Sequence, residues 1–267
     1  MTSLLAVFLA GCRGPAEPPG NSGDTGDTGT TGDSGLEAPR FTVSGQVLDV
    51  DGGPVVDVFV TVSTEFCIPD RTDAEGRFQV ADVDPGEKRL ITYGETAGNG
   101  LFASVVVRFE ADAAWTLDAP LTTPALTQRW PIDPASPDDQ HFTSAEGFEI
   151  DIPAGSLTLA PFAPAELQLA REPLPLAPDF VPAGFELVDL FVLHPIQSTL
   201  DPPAPVRFPA DTGLAPGTPV RFLALDYDTG MLTPVATGTV DDDGTAATAP
   251  GQGIPELTWI GLALENP

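Results

Sequence analysis

Residues 41–62, FTVSGQVLDVDGGPVVDVFVTV, decide the fold of this chain. Apolar or small side chains occupy every second position in 43–47, and the alternation returns in 58–62. A period of two is typical of strands with one buried face. The glycines of 49–54 permit the positive φ angles of a tight turn, so this segment predicts a hairpin between two strands.

The same signals continue to residue 121. Turn sequences containing Asp and Gly occur at 72–77 and 83–86, and no segment has a convincing helical pattern. Short strands with such frequent turns predict an antiparallel β-sandwich over 41–121. The remaining predicted strands of this block are 78–80, 90–93, 101–109 and 115–121.

Several turns of this block occur in an order known from one family. Gly45-Gln46-Val47, followed by 51–55, 72–78 and 83–86, resembles the carboxypeptidase regulatory-like domain. The resemblance implies a transthyretin-like sandwich that acts as an accessory module. A zinc peptidase is excluded, because its metal needs His and Glu ligands at short spacing. The only histidines are His141 and His194, and neither begins a His-x-x-Glu motif.

The segment 122–140 contains four prolines, which disfavour a central strand and predict a semi-rigid connector. Strand patterns return after it and predict a second antiparallel β-sandwich over 141–267. The chain is therefore expected to be all-β. The predicted strands of the second block are 146–152, 165–171, 186–194, 206–208, 219–225, 231–240 and 257–264, with hairpin turns at 226–230 and 241–244.

The second block also resembles a known module. Residues 152–157 read IPAGSL, 193–195 read LHP and 205–209 read PVRFP. In this order they are similar to the β-sandwich module of zonula-occludens proteins, ankyrins and netrin receptors. That resemblance implies an interaction surface without catalysis.

The N-terminus carries a possible membrane anchor. Leu9-Ala10-Gly11-Cys12 resembles the lipobox of bacterial lipoproteins, which implies that 1–11 is a signal peptide and that Cys12 carries lipid. The absence of a basic residue before the apolar run favours a start codon upstream of Met1. Residues 12–40 are rich in Gly, Asp and Thr and predict a disordered tether. The expected location is the cell envelope, at the outer membrane, facing the periplasm or the cell surface.

Charge and cysteine content narrow the possible partners. The net charge of −28 disfavours nucleic-acid binding, which needs Lys and Arg to neutralise phosphates. If Cys12 carries lipid, Cys67 is the only remaining thiol. It is then expected to be a buried or half-buried small side chain without an internal disulfide.

Few side chains stand out as site candidates, and no catalytic set is predicted. His194 is expected to be structural and His141 solvated. Trp130, in the connector, is the best candidate for stacking on a ligand. Trp115 and Trp259 lie in apolar strands and are expected in the core; Phe66 and Tyr93 are further aromatic candidates. Weak calcium candidates are Asp49, Asp51, Asp241 and Asp243, although Asp is common in turns because it caps its own backbone.

Together these patterns predict a lipid-anchored, non-enzymatic envelope protein that presents two β-sandwich interaction modules. Its partners would be the membrane, through the lipid, and an unknown envelope protein or glycan. The alternative is a carbohydrate-binding or calcium-dependent adhesion protein at the cell surface. No cofactor is expected apart from the covalent lipid, with calcium possible.

Overall fold

The computed structural model describes residues 39–63, 67–177 and 180–265. The predicted signal peptide, Cys12 and nearly all of the tether lie outside these residues. The all-β prediction is confirmed: mainly antiparallel sheets and three short 3₁₀ turns account for the regular structure of the described residues. The strands of the first block are β1 (Phe41–Asp49), β2 (Phe59–Ser63), β3 (Cys67–Arg71), β4 (Arg77–Val83), β5 (Gly86–Tyr93), β6 (Val105–Ala111), β7 (Trp115–Thr116) and β8 (Leu121–Thr123).

The first block is a sandwich of two four-stranded sheets. One has the order β4-β1-β7, with β8 also pairing β1, and the other has the order β3-β2-β5-β6. Alternate apolar residues of β1, β2, β4 and β5 meet in one core cluster. The pairs of β1 with β7 and β8 are parallel, in contrast to the antiparallel prediction.

The turn at 49–54 is present, but it does not join two paired strands. Gly52 has a φ of +82°, and the Asp49 amide donates to the Gly53 carbonyl at 2.8 Å. The chain then leaves this turn, with Asp57 at a φ of +60°, and enters the opposite sheet. The predicted hairpin between β1 and β2 is therefore wrong, because the segment crosses between the two layers of the sandwich.

The second block contains a ten-stranded sheet, with the order β10-β11-β16-β19-β18-β17-β21-β14-β13-β9, and a three-stranded sheet, with the order β12-β15-β20. Its strands are β9 (Gln128–Pro131), β10 (Gln140–Thr143), β11 (Glu149–Ile152), β12 (Leu157–Thr158), β13 (Glu166–Arg171), β14 (Phe185–His194), β15 (Ser198–Ala204), β16 (Val206–Phe208), β17 (Pro219–Asp226), β18 (Met231–Val240), β19 (Ala246–Thr248), β20 (Ile254–Leu257) and β21 (Trp259–Glu265).

The long sheet folds over on itself around an aromatic core. Phe208 of β16 and Phe191 of β14 have ring centroids 5.5 Å apart, although four strands separate β16 from β14 in the sheet. Phe148 packs against both rings, at 4.7 and 5.2 Å. This closure gives the second block the sandwich-like core that the alternating strands predicted.

The segment 122–140 is more than a connector. It contains the end of β8, all of β9 and the first residue of β10. β9 pairs with β13 as the last strand of the ten-stranded sheet. An edge strand tolerates Pro131, since one side of its backbone needs no sheet partner.

β15 is a further strand, which the sequence patterns did not predict. Its pairing with β20 shifts register between Thr199 and Ala204, where Pro202 and Pro203 lie.

The two blocks share a core. Successive residues of β14 point to opposite sides: Phe191 and Leu193 join the core of the second block, whereas Leu190 and Val192 join the cluster of the first block. Strands β17 and β21 also contribute to both clusters. The outer face of the β17-β21-β14 region is therefore buried against the first block.

In the described part of the chain, no helix has the length and apolar character needed to cross a membrane.

Candidate functional site

A cavity of about 320 Å³ lies at the junction of the two blocks and is called the junction cleft below. The first block contributes the end of β5 and the loop that follows it. The second block contributes the loop between β12 and β13, one residue of β13, and the segment after β14. The lining residues are Tyr93, Glu95, Leu101, Ala160, Pro161, Phe162, Ala163, Pro164, Gln168, His194, Pro195, Ile196 and Gln197.

A close backbone approach positions Glu95. The 3₁₀ turn Gly94–Thr96 follows β5 directly, and the Phe102 amide donates to the Gly94 carbonyl at 3.2 Å. A Cβ atom on Gly94 would lie 2.3 Å from the Ala103 carbonyl oxygen. Only glycine therefore allows the turn to approach 102–103 closely enough to place Glu95 in the cleft.

Ser104 connects three groups at the base of the cleft. Its hydroxyl donates to Glu95 Oε2 at 2.5 Å, and its amide donates to His194 Nε2 at 3.3 Å. Its carbonyl accepts from Trp259 Nε1 at 2.7 Å. Since Ser104 belongs to the first block and His194 and Trp259 belong to the second, these hydrogen bonds fix one block against the other.

The Ser104–His194 contact does not have the geometry of a nucleophile and its base. The Ser104 hydroxyl donates to Glu95, whereas His194 Nε2 accepts from the Ser104 backbone. Burial lowers the pKa of His194 to about 3, so the ring is neutral at physiological pH. Ser104 has no exposed surface, and a substrate could not reach its hydroxyl. That His194 has a structural role stays a prediction.

An exposed aromatic side chain stands at the rim of the cleft. Phe162 is 79% exposed and has a φ of +64°, in a loop bounded by Pro161 and Pro164. A bulky residue rarely adopts a left-handed conformation, and a phenyl ring gains by leaving water. The chain thus holds an apolar ring at a cavity mouth against both local preferences. Backbone strain of this kind clusters at ligand sites.

Glu95 is the one carboxylate among the described residues that line the cleft, and this lining includes no Lys or Arg. Burial raises the pKa of Glu95, while the hydrogen bond from Ser104 opposes that increase. Burial also raises the pKa of Tyr93, which keeps its phenol protonated. The cleft therefore combines mostly apolar walls with one carboxyl group at its base, whose charged form burial disfavours.

The aromatic candidates occupy different environments. Tyr93 lines the cleft, and Trp259 is fully buried in the core, as predicted. Trp115 is half-buried and stacks on Phe109 with centroids 4.1 Å apart. Trp130 is half-buried on β9 and contacts Phe142 at 6.1 Å. Its proposed role in stacking on a ligand stays a prediction, and Phe66 lies outside the described residues.

The acidic turns cap their own backbones. Asp49 Oδ1 accepts from the amides of Asp51 and Gly53 at 2.9 and 2.7 Å. Asp243 accepts from the Thr245 amide and hydroxyl, which lowers its pKa. Asp241 accepts from Arg207 at 2.9 Å. Within 39–63, 67–177 and 180–265, no three potential metal ligands come together. Calcium binding at these residues stays a prediction.

The two cysteines differ from the prediction in one respect. Cys67 is disulfide-bonded, so the expectation that it is an unpaired small side chain is wrong. The other cysteine of the chain, Cys12, lies outside the described residues. Sequence reasoning assigned Cys12 to lipid first and thereby removed the possible partner of Cys67.

His141 is exposed on β10, as predicted. Its Nδ1 lies 2.7 Å from Asp151 Oδ1 and its Nε2 lies 3.0 Å from Thr143 Oγ1. The first contact joins the neighbouring strands β10 and β11, the second lies within β10, and both are outside the junction cleft.

A second, larger groove of about 710 Å³ runs over β1 and β4. Four of the five charged residues that line it are paired. Arg77 contacts Asp73 and Glu75, Arg71 contacts Asp57, and Asp70 accepts from the Gln79 amide. The fifth, Asp118, is exposed to solvent, so this groove is open and offers no partly buried carboxyl comparable with Glu95.

Sequence reasoning missed Glu95, Ser104 and Phe162. Phe162 left a signal, since an aromatic residue flanked by prolines in a loop is unusual. Glu95 and Ser104 left none, because one acid in a turn and one serine before a strand are common. Only the packing of the two blocks brings them together.

No protein-family model matches the chain, and no curated protein matches it. The resemblances to the lipobox, the carboxypeptidase regulatory-like domain and the zonula-occludens module therefore stay predictions.

Several solved structures are similar to the chain. A DUF3823 family protein from Parabacteroides merdae is 9% identical over 86% of this chain and 100% of that chain, with a TM-score of 0.28. The major pilin subunit BcpA of Bacillus cereus is 10% identical over 85% of this chain and 59% of that chain, with a TM-score of 0.28. A cohesin–X-dockerin complex from Acetivibrio cellulolyticus is 20% identical over 32% of this chain, which spans 58% of that chain, with a TM-score of 0.25. At such low TM-scores these likenesses carry no argument about function.

Proposed function

We propose that this chain is a non-enzymatic envelope protein that binds a ligand in the junction cleft, and that in a membrane-held form Cys12 carries lipid in place of a disulfide. The junction cleft carries this proposal. Its base presents a carboxylate and a neutral histidine that are held in hydrogen bonds, and its rim presents an exposed aromatic ring. This arrangement suits recognition, since a pocket with apolar walls and few polar groups fixes a ligand by shape and orientation.

The anchor is supported by Leu9-Ala10-Gly11-Cys12 and by the Gly-, Asp- and Thr-rich segment that follows. Two or more acyl chains hold a protein stably, because each buried methylene contributes about 0.8 kcal/mol. A soft tether after such an anchor would let the sandwich blocks extend from the membrane.

Matched cysteine variants of the full chain test the anchor. A lipid thioether and a disulfide compete for the same sulfur of Cys12. We expect Cys12→Ser to release the protein from the membrane fraction, whereas Cys67→Ser leaves it there. Mass spectrometry of the wild-type N-terminal peptide should show an acylated Cys12. A Cys12–Cys67 peptide in the unreduced digest, or equal fractionation of the two variants, would contradict lipid anchoring.

A further inference from the structure

We propose that the junction cleft selects a small organic ammonium ion, with its charged nitrogen at Glu95 and its apolar body against Phe162 and Ile196. This inference rests on the proposed function in one respect, the use of the cleft for binding. It adds the chemical class of the ligand.

The carboxyl group of Glu95 favours a cationic ligand. Glu95 has no positively charged counterpart among the described residues that line the cleft. One of its oxygens accepts from the Ser104 hydroxyl, and no hydrogen bond from a second residue to its side chain is seen among the described residues. A carboxylate held in a partly desolvated cavity is costly unless it meets a cation. An ammonium group would supply that cation, and an anionic ligand would be repelled.

The polar groups near Glu95 also favour a cationic ligand. Burial keeps His194 neutral, so it adds no competing positive charge. The phenol of Tyr93 stays protonated and adds no negative charge. Gln168 is 6% exposed and its amide nitrogen donates to Glu166 at 2.9 Å, which fixes the amide orientation near the cleft. Among the described residues that line the cleft, Glu95 is thus the one group whose ionisation a bound cation would stabilise.

The walls define the rest of the ligand. Most lining residues are apolar, and they include Leu101, Pro161 and Ile196. The Phe162 ring at the rim can cover a hydrocarbon body or contact a cation through its face. A cavity of about 320 Å³ is at the lower end of the range for ligand pockets, which favours a small molecule.

The overall charge favours such a ligand during encounter. The chain has 39 acidic and 11 basic residues, and its net charge of −28 attracts cations and repels anions. Glu95 then provides the specific contact that a general negative field lacks.

Calorimetric titration of the full-length protein tests the proposal with three probes of nearly equal shape. These are phenethylamine as the cation, phenethyl alcohol as the neutral analogue, and phenylpropionate as the anion. We expect the amine to bind at least about tenfold more tightly than the alcohol, and the anion not to bind. Amine affinity should increase with pH through the titration of Glu95, because the cation binds only the ionised carboxylate.

Three variants locate the binding. Glu95→Gln should weaken amine binding by about tenfold or more and should remove its pH dependence. Phe162→Ala should weaken it severalfold without loss of folding, since the side chain is 79% exposed. Glu186→Gln, on an exposed position of β14, makes the same charge change and should leave affinity unchanged.

Equal affinity for the amine and the alcohol, no amine binding up to about 10 mM, or full binding by Glu95→Gln would overturn the assignment. Binding of a neutral sugar that depends on Phe162 would also overturn the ammonium class, yet it would leave the proposed use of the cleft intact. Lipid on Cys12 is read separately, by mass spectrometry, so failure of the anchor and failure of the ligand class remain distinguishable.

Discussion

At the scale of single residues, burial without a hydrogen-bond partner decides which carboxyl group has a strongly shifted pKa. Glu172 is 1% exposed, and among the described residues neither of its carboxylate oxygens has a hydrogen-bond partner. Glu146, Arg171 and Asp189 line the same cavity, but Arg171 already donates to Asp189 at 2.9 and 3.0 Å. Burial consequently raises the pKa of Glu172 from 4.5 to about 8.

Glu172→Gln should remove one source of pH-dependent stability. Because its pKa is raised in the folded state, the folded protein binds more protons than the unfolded chain between pH 4.5 and about 8. The stability contributed by Glu172 is therefore fully present below pH 4.5 and is lost as pH rises, at up to about 1.4 kcal/mol per pH unit.

Urea denaturation of wild type and variant in steps of about one pH unit from about pH 5 to about pH 8 measures how the free energy of unfolding changes with pH. We expect the wild type to lose stability relative to Glu172→Gln as pH rises. The exposed Glu186→Gln should run parallel to the wild type. A constant difference between wild type and Glu172→Gln would show that the carboxyl is not protonated in the folded state.

At the scale of elements, close approach between strands limits the sequence at β18. Gly238 pairs with Val220 of β17 and Thr248 of β19. A Cβ atom there would lie 2.0 Å from the Ala247 carbonyl oxygen and 2.7 Å from the Phe222 ring. Neither neighbour can move freely, since one is backbone and the other is in the core.

Gly238→Ala should therefore force β18 and β19 apart and destabilise the fold by about 2–3 kcal/mol, as overpacking does. The control is Gly98→Ala, at an exposed position where the nearest atom would be 3.3 Å away. Thermal unfolding followed by circular dichroism compares the two variants. Equal melting temperatures would mean that the β18–β19 pairing absorbs a methyl group without strain.

At the scale of the whole molecule, the two blocks are joined by packing as well as by chain. Trp259 is fully buried in the shared cluster, and its indole donates to Ser104 of the other block. Arg89 of β5 donates to the Tyr227 carbonyl at 2.7 Å, at the end of β17. A shared core predicts that the blocks unfold together, in one cooperative transition.

Trp259→Phe should leave the Ser104 carbonyl without its indole donor and open a small void, at a cost of about 2–4 kcal/mol. Trp130→Phe, on the edge strand β9, should cost less, because Trp130 is half-buried. Differential scanning calorimetry should show one transition for the wild type at a higher temperature than for Trp259→Phe. Two separate transitions in the wild type would contradict the shared core.

The sequence by itself determined the all-β class and most strands of the two blocks, because alternation and turn residues are local properties. The strand predicted over 165–171 is present as Glu166–Arg171, and 226–230 form the expected turn between β17 and β18. The missed strands are short or contain prolines, so their pairing is decided by distant partners.

Tertiary structure alone decided which sheet each strand joins and where the cleft lies. The alternation of β1 and β2 is the same whether they pair or face each other, so the hairpin was assigned wrongly. The continuous apolar runs of β14, β17 and β21 did carry a signal, since a strand buried on both faces loses its alternation. The first block covers the second face of these strands, and this packing brings Glu95, Ser104 and His194 together. It depends on contacts between residues about 90 positions apart. No local pattern encodes such contacts.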